Sequence, residues 1–232
     1  MRSARPSTFD STRASPNDAA TARPATKRAP PMGNAAMVLT FFKHGSNALL
    51  ALAIFAILLW PLFGGPHLSP LWIVVGALLF YLSEYSWHRF AFHAPPAPWG
   101  WMRRLQHRLH YDHHSEPNRL DLLFLPFWFL GPNLVVTAAL VYLILGAAAV
   151  APVMLGVMLA IFHYEWVHYV AHIPYQPRTR FGRWMKQYHL RHHFVSEKLW
   201  FGVSNPSLDI VYRTWREPKQ VEKSATVRKL YS

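Results

Sequence analysis

Residues 133–165 read NLVVTAALVYLILGAAAVAPVMLGVMLAIFHYE, and the absence of any charge before Glu165 decides what kind of fold can follow. The stretch belongs to a longer one. From Leu122 to Tyr164 no Asp, Glu, Lys or Arg interrupts the chain, and the same holds from His44 to Ser83. A soluble domain does not easily hide two such runs, whereas a hydrocarbon layer about 30 Å thick accepts them as helices of roughly 20 residues. The sequence therefore predicts an all-α integral membrane fold.

Each run contains a breaker. Pro61 with Gly64-Gly65-Pro66 splits the first into a short span over 46–63 and a second beginning at Pro70, passing Leu82 and ending at His93 before Pro95-Pro96. In the second run Pro152 marks a turn between spans at about 133–149 and 151–167. Leu122–Leu130 reads as an interfacial segment ending at Gly131-Pro132, with Trp128 at headgroup depth. The expectation is four transmembrane helices in two hairpins, with a cytoplasmic helical cap built from the intervening arms.

The distribution of charge gives the orientation. All 24 Lys and Arg lie before the first span, in the last helical turns of the second span or the arm after it, or after the second hairpin, and none lies in the two hairpin turns. An even number of spans puts those regions on one side, which the positive-inside bias makes cytoplasmic. The expected protein is multi-pass, with both termini and the arms in the cytoplasm, in a bacterial inner membrane or the endoplasmic reticulum. This topology accounts for the formal charge of +13 without nucleic acid, for which a dense polybasic tract is missing. Residues 1–31, rich in Arg, Ser, Thr, Ala and Pro, read as a disordered basic tail, and 218–232 as a polar C-terminal tail. With no cysteine, thiolate metal sites, disulfides and Cys nucleophiles are excluded together.

The arms carry the chemistry. His110-Tyr-Asp-His113-His114 places three imidazoles at i, i+3 and i+4, on one side of a helix, and His189-Leu-Arg-His192-His193 repeats the pattern. Two further pairs, His88-x4-His93 and His168-x3-His172, end the second and fourth spans. Equal spacers, 94–109 and 173–188, separate each pair from its triplet, so the chain reads as two halves of five imidazoles each. Ten imidazoles are too many for one ion and suit two, with positions left for a small reactant. Magnesium and calcium prefer oxygen and structural zinc a closed set of four, so redox iron is the expected metal, with zinc able to replace it.

Other polar groups carry weaker expectations. Glu84 and Glu165 precede His88 and His168 by about a turn and are candidates to accept an imidazole N–H, thereby orienting the ring; Asp112 is a further candidate of the same kind. Glu197 reads as either such a group or a solvated one. His107 and His163 lie one turn from the candidate ligands and are possible substitutes, whereas His44 and His67 belong to no cluster.

The ordered boxes H-x4-H, H-x2-H-H, H-x3-H and H-x2-H-H resemble the fatty acid hydroxylase / sterol desaturase superfamily of membrane non-haem di-metal enzymes. The segments Glu84–His93 and Lys198–Thr214 are most similar to the fatty acid 2-hydroxylase branch, and the resemblance covers roughly residues 45–217. It implies that His88, His93, His110, His113, His114, His168, His172, His189, His192 and His193 hold two iron ions. It further implies activation of O2 and hydroxylation of a lipid C–H bond, most simply acyl 2-hydroxylation. The same scaffold leaves open hydroxylation of a lipid headgroup and sterol-type oxidation or desaturation. A non-redox metal-binding or transport protein is the alternative of another class, disfavoured because the histidines gather at the helix ends and not at the midplane. No cytochrome b5 unit is legible, so the expected electron donor is a separate protein such as cytochrome b5 or a ferredoxin. Arg103, Arg104, Arg183 and Lys186 are candidates to dock it or to contact lipid headgroups.

Overall fold

The computed structural model describes residues 31–231, and every regular element among them is helical. The expected N-terminal tail, apart from Pro31, lies outside the described residues. In chain order the helices are α1 (Asn34–Lys43), α2 (Gly45–Leu59), α3 (Pro70–Ser86), α4 (Gly100–Gln106), α5 (Asp112–Ser115), α6 (Leu120–Leu123), α7 (Phe127–Leu145), α8 (Ala147–His172), α9 (Arg180–Phe194) and α10 (Ser207–Val211). A 3-10 turn, Trp60–Phe63, extends α2, and two π turns, Trp87–Phe92 and His107–Tyr111, follow α3 and α4.

The central helix is α8, buried along most of its length, with α2, α3 and α7 packed around it. The outer helices turn Leu52, Phe55, Leu71, Leu78, Val135 and Leu143 outward, each at least half exposed. That is the distribution expected when the surrounding medium is hydrocarbon. Three segments, Gly45–Phe63, Leu120–Leu145 and Ala147–His172, are long and apolar enough to cross a membrane. The remaining segment read from the sequence, α3, stops as an α-helix after 17 residues, where its backbone shifts into the π turn.

Two breakers act differently from expectation. Gly131-Pro132 does not interrupt α7: Pro132 lies within it, and Asn133 Nδ2 donates to Phe129 O at 2.7 Å, supplying a carbonyl next to the missing ladder bond. The turn between α7 and α8 falls at Gly146, not Pro152. Gly146 has φ of 85°, a conformation that a Cβ resists, whereas Pro152 sits inside α8.

The packing of α3 on α8 sets the level of the histidines. The helices run in the same direction and touch backbone to backbone. A Cβ on Gly76 would collide with the Val153 carbonyl, and one on Gly156 with the Ile73 carbonyl. Small residues permit this approach where hydrocarbon gives helices no hydrophobic reason to associate. His88 follows Gly76, and His168 follows Gly156, by the same number of residues, so the two rings emerge at one height. Nearer the crossing, Tyr81 Oη and His163 Nδ1 meet at 3.1 Å.

Candidate metal centre

Both π turns lie within the histidine motifs. In an α-helix, five residues rotate the chain by about 500°, leaving positions 88 and 93 some 140° apart. The wider π turn, closed by His93 N donating to His88 O at 3.1 Å, brings i and i+5 back toward one side. His168 and His172 need no such device, because i and i+4 already share a face of α8. The second π turn leads into α5 and presents His110, His113 and His114; the corresponding triplet lies on unbroken α9.

The ten histidines collect into two groups. His88, His93, His110, His114 and His192 form one; His113, His168, His172, His189 and His193 form the other; within each, one nitrogen per ring lies within 4.8 Å of all the rest. Adjacent histidines diverge because neighbours on a helix point about 100° apart. Thus His113 leaves its own half to complete the second group, and His192 crosses to the first. The groups abut, with the His114 and His193 rings stacked at 4.2 Å.

Hydrogen bonding in the first group establishes what its nitrogens offer. His88 Nδ1 donates to Phe201 O at 2.5 Å, His114 Nδ1 to Val227 O at 3.0 Å, and His192 Nδ1 to Leu199 O at 2.8 Å. A carbonyl only accepts, so each Nδ1 carries the hydrogen and each neutral ring keeps a lone pair on Nε2. Yet His114 Nε2 and His192 Nε2 face each other at 3.2 Å, and His192 Nε2 lies 2.9 Å from His93 Nε2. Protonation does not relieve this, because burial and the neighbouring imidazoles hold His114 and His192 well below the ordinary histidine range. Converging lone pairs call for a cation. Two nitrogens about 2.1 Å from one ion and at right angles would be about 3.0 Å apart.

The second group is closer still to being unsatisfied. His168 and His113 meet Nε2 to Nε2 at 3.1 Å, and His189 and His172 at 2.9 Å. The Nδ1 atoms of His113, His168, His189 and His193, and also His193 Nε2, are buried without a protein partner. Burial pushes His113 down to about 3, and His189 and His193 well down, so these rings too are neutral. Ten imidazoles in two five-nitrogen sets fit a pair of transition-metal ions.

The groups that orient these rings differ from those expected. His88 Nδ1 goes to a backbone carbonyl and not to Glu84, which instead accepts from Ser204 N at 3.0 Å and from Ser204 Oγ. Glu165 accepts from Leu125 N at 2.9 Å and leaves its other oxygen unpartnered. Asp112 pairs at 3.1 Å with His107, both half exposed. Neither His107 nor His163 joins a group. Glu197 is buried and accepts from Ser224 and Thr226. Of the basic residues considered for docking, Lys186 donates its ammonium to the carbonyls of Val170, Ile173 and Tyr175 at the end of α8, and Arg183 bonds Pro177 O and Arg178 O.

Asp209 had no role assigned from the sequence. Fully buried, it accepts from Phe201 N at 2.9 Å, Gly202 N at 2.7 Å, Tyr188 Oη at 2.8 Å and Thr214 Oγ1 at 2.6 Å. It thereby clamps the loop whose Leu199 and Phe201 carbonyls orient His192 and His88. A lone acid in a run of otherwise apolar and small residues, 199–211, was the available signal.

An apolar cavity reaches both groups. Phe80, Trp87, Phe92, Leu109, Leu125 and Phe129 line it, and His88 and His110 of the first group and His168 and His189 of the second also face it. Ser83, Glu84 and Tyr164 complete the lining, so the wall is mostly apolar with a few polar groups.

Residues 73–214 match the fatty acid hydroxylase family. The chain is 30% identical over 169 residues to a dihydroceramide fatty acyl 2-hydroxylase of Arabidopsis thaliana, covering 68% of this chain and 65% of that protein. It is 32% identical over 146 residues to the fatty acid 2-hydroxylase of Rattus norvegicus, covering 61% and 38%. A beta-carotene hydroxylase of Paracoccus sp. is 32% identical over 123 residues, 53% of this chain and 73% of that one. In solved structures, the visible hydroxylase domain of full-length scs7p shares the fold, with a TM-score of 0.58 at 23% identity over 82% of this chain and 67% of that one. The chain thus spans about two thirds or less of the acyl hydroxylases that it matches.

Proposed function

Because the chain belongs to the fatty acid hydroxylase family, we propose that its two imidazole groups hold a pair of non-haem iron ions and that it hydroxylates a lipid C–H bond, most simply the acyl carbon next to the carboxyl group. The observation that carries this reading is the facing pair of Nε2 lone pairs on His114 and His192, beside a cavity shaped for hydrocarbon. The ten ligands are those named above, five to each ion. When bound, the iron pair supplies the redox chemistry by which O2, two electrons and two protons convert R–H to R–OH and water. The chain's own residues do the rest. Phe80, Trp87, Phe92 and Phe129 hold the acyl chain and keep bulk water out, while the carbonyls of Leu199, Phe201 and Val227 hold three imidazoles in the tautomer that presents Nε2.

The same reading makes α3 the fourth span and puts both termini and the metal centre on the cytoplasmic side, where every Lys and Arg of the arms lies. Electrons then arrive from a separate donor. The similarity to a carotenoid hydroxylase supports a second reading, hydroxylation of a ring carbon in an isoprenoid lipid by the same centre. Lipid mass spectrometry on cells making the wild type or His192→Ala separates them. A gain of one oxygen at the acyl 2-position, present only with the wild type, is expected. The oxygen on a ring supports the second reading, and loss of two hydrogens without added oxygen overturns both.

A further inference from the structure

We infer that residues 224–231 form a strap that positions His114 within the first imidazole group, a role that rests on the metal reading above. This segment lies beyond the matched family region, which ends at residue 214. Its sequence reads as a polar tail, yet the chain returns across the site. The Val227 carbonyl accepts the His114 Nδ1–H at 3.0 Å and so sets which nitrogen of that ring is free.

The strap is anchored on both sides of this contact. Arg228 donates from Nε to His114 O at 3.0 Å and from Nη2 to Ser115 O at 2.8 Å, locking the backbone that carries the ring. Tyr231 Oη donates to His93 O at 3.2 Å, a second residue of the same group. Upstream, Ser224 N donates to Val195 O at 2.8 Å, and Ser224 and Thr226 hydroxyls reach Glu197 Oε1 at 2.9 and 2.7 Å. Within the strap, Val227 and Leu230 are buried. Among the described residues, no hydrogen bond from the strap reaches a side chain of the second group.

An element that orients one ligand of one group affects the two ions unequally, which a merely structural tail would not. Metal-free wild type, Arg228→Ala and a chain lacking 224–232 are titrated in detergent with Co2+, and bound metal per chain is counted. Wild type is expected to take two ions and the deletion one. Arg228→Ala, which keeps the full chain should the deletion not fold, is expected to take two, one of them bound about 10- to 100-fold more weakly. Two ions at unchanged affinity in Arg228→Ala overturn the inference, as does equal weakening of both. Wild type that takes no metal overturns the metal reading itself, and the strap with it.

Discussion

The two imidazole groups have the same number of rings and different supports. In the first, His88, His114 and His192 each give Nδ1–H to a backbone carbonyl from the C-terminal third of the chain. In the second, four Nδ1 atoms are buried with no partner. The second group stands mostly on two long regular helices, with His168 and His172 on α8 and His189 and His193 on α9, and takes only His113 from α5 after the second π turn. The first takes His88, His93 and His110 from or beside the two π turns, His114 from α5 and His192 from α9, and its rings on three different elements are braced by carbonyls. The difference teaches that a repeated histidine pattern can be met by two structural solutions, one helical and one loop-braced.

The largest expected effect tests whether both groups are needed. His192→Ala in the first and His172→Ala in the second should each lower product formation below about one-hundredth of wild type, since loss of even an outer partner costs 10- to 100-fold. Turnover retained by either variant would show that one group is dispensable. Next, Asp209→Asn should weaken metal at the first group by about tenfold and leave the second unchanged, as read in a metal titration, because only the first leans on the loop Asp209 clamps. Equal weakening of both groups would erase the distinction.

A smaller effect comes from the helix crossing that levels the two groups. Gly156→Ala forces a Cβ onto the Ile73 carbonyl, with an expected cost of about 1–3 kcal/mol in unfolding free energy, measured in detergent. Metal-free protein should also lose stability as pH falls below about 6.5, the ordinary histidine value, toward about 3. The unfolded chain takes up protons through that window while His113, His114, His189, His192 and His193 remain neutral, so the unfolded state gains. A melting temperature independent of pH over that range would contradict the burial of these rings. Least of all, His107→Ala, outside both groups, should stay within about 0.5 kcal/mol of wild type.

Much of this was legible in the chain. The helical class, the long apolar segments and the ten histidines follow from charge-free runs and ligand spacing. What escaped was local backbone choice. Pro132 and Pro152 read as breakers because proline removes a ladder bond, but both sit inside helices, and the turn falls at Gly146, which takes positive φ. Glu84 and Glu165 read as partners of His88 and His168 from their proximity in sequence. The backbone N–H groups of Ser204 and Leu125 took them instead, because a buried carboxylate bonds whichever donor packing brings near.

The sequence by itself determined the composition of the site, because ligand chemistry depends on residue type and helical spacing depends on covalent geometry. Tertiary structure alone decided which imidazole joins which group, which carbonyl orients it, and that the C-terminal residues cover His114. Among them are contacts between residues more than 50 positions apart, such as His113 with His168 and His114 with Val227, which no local pattern encodes. They arise only when glycine-permitted packing of α3 on α8 sets the halves at one height and the chain folds back across them.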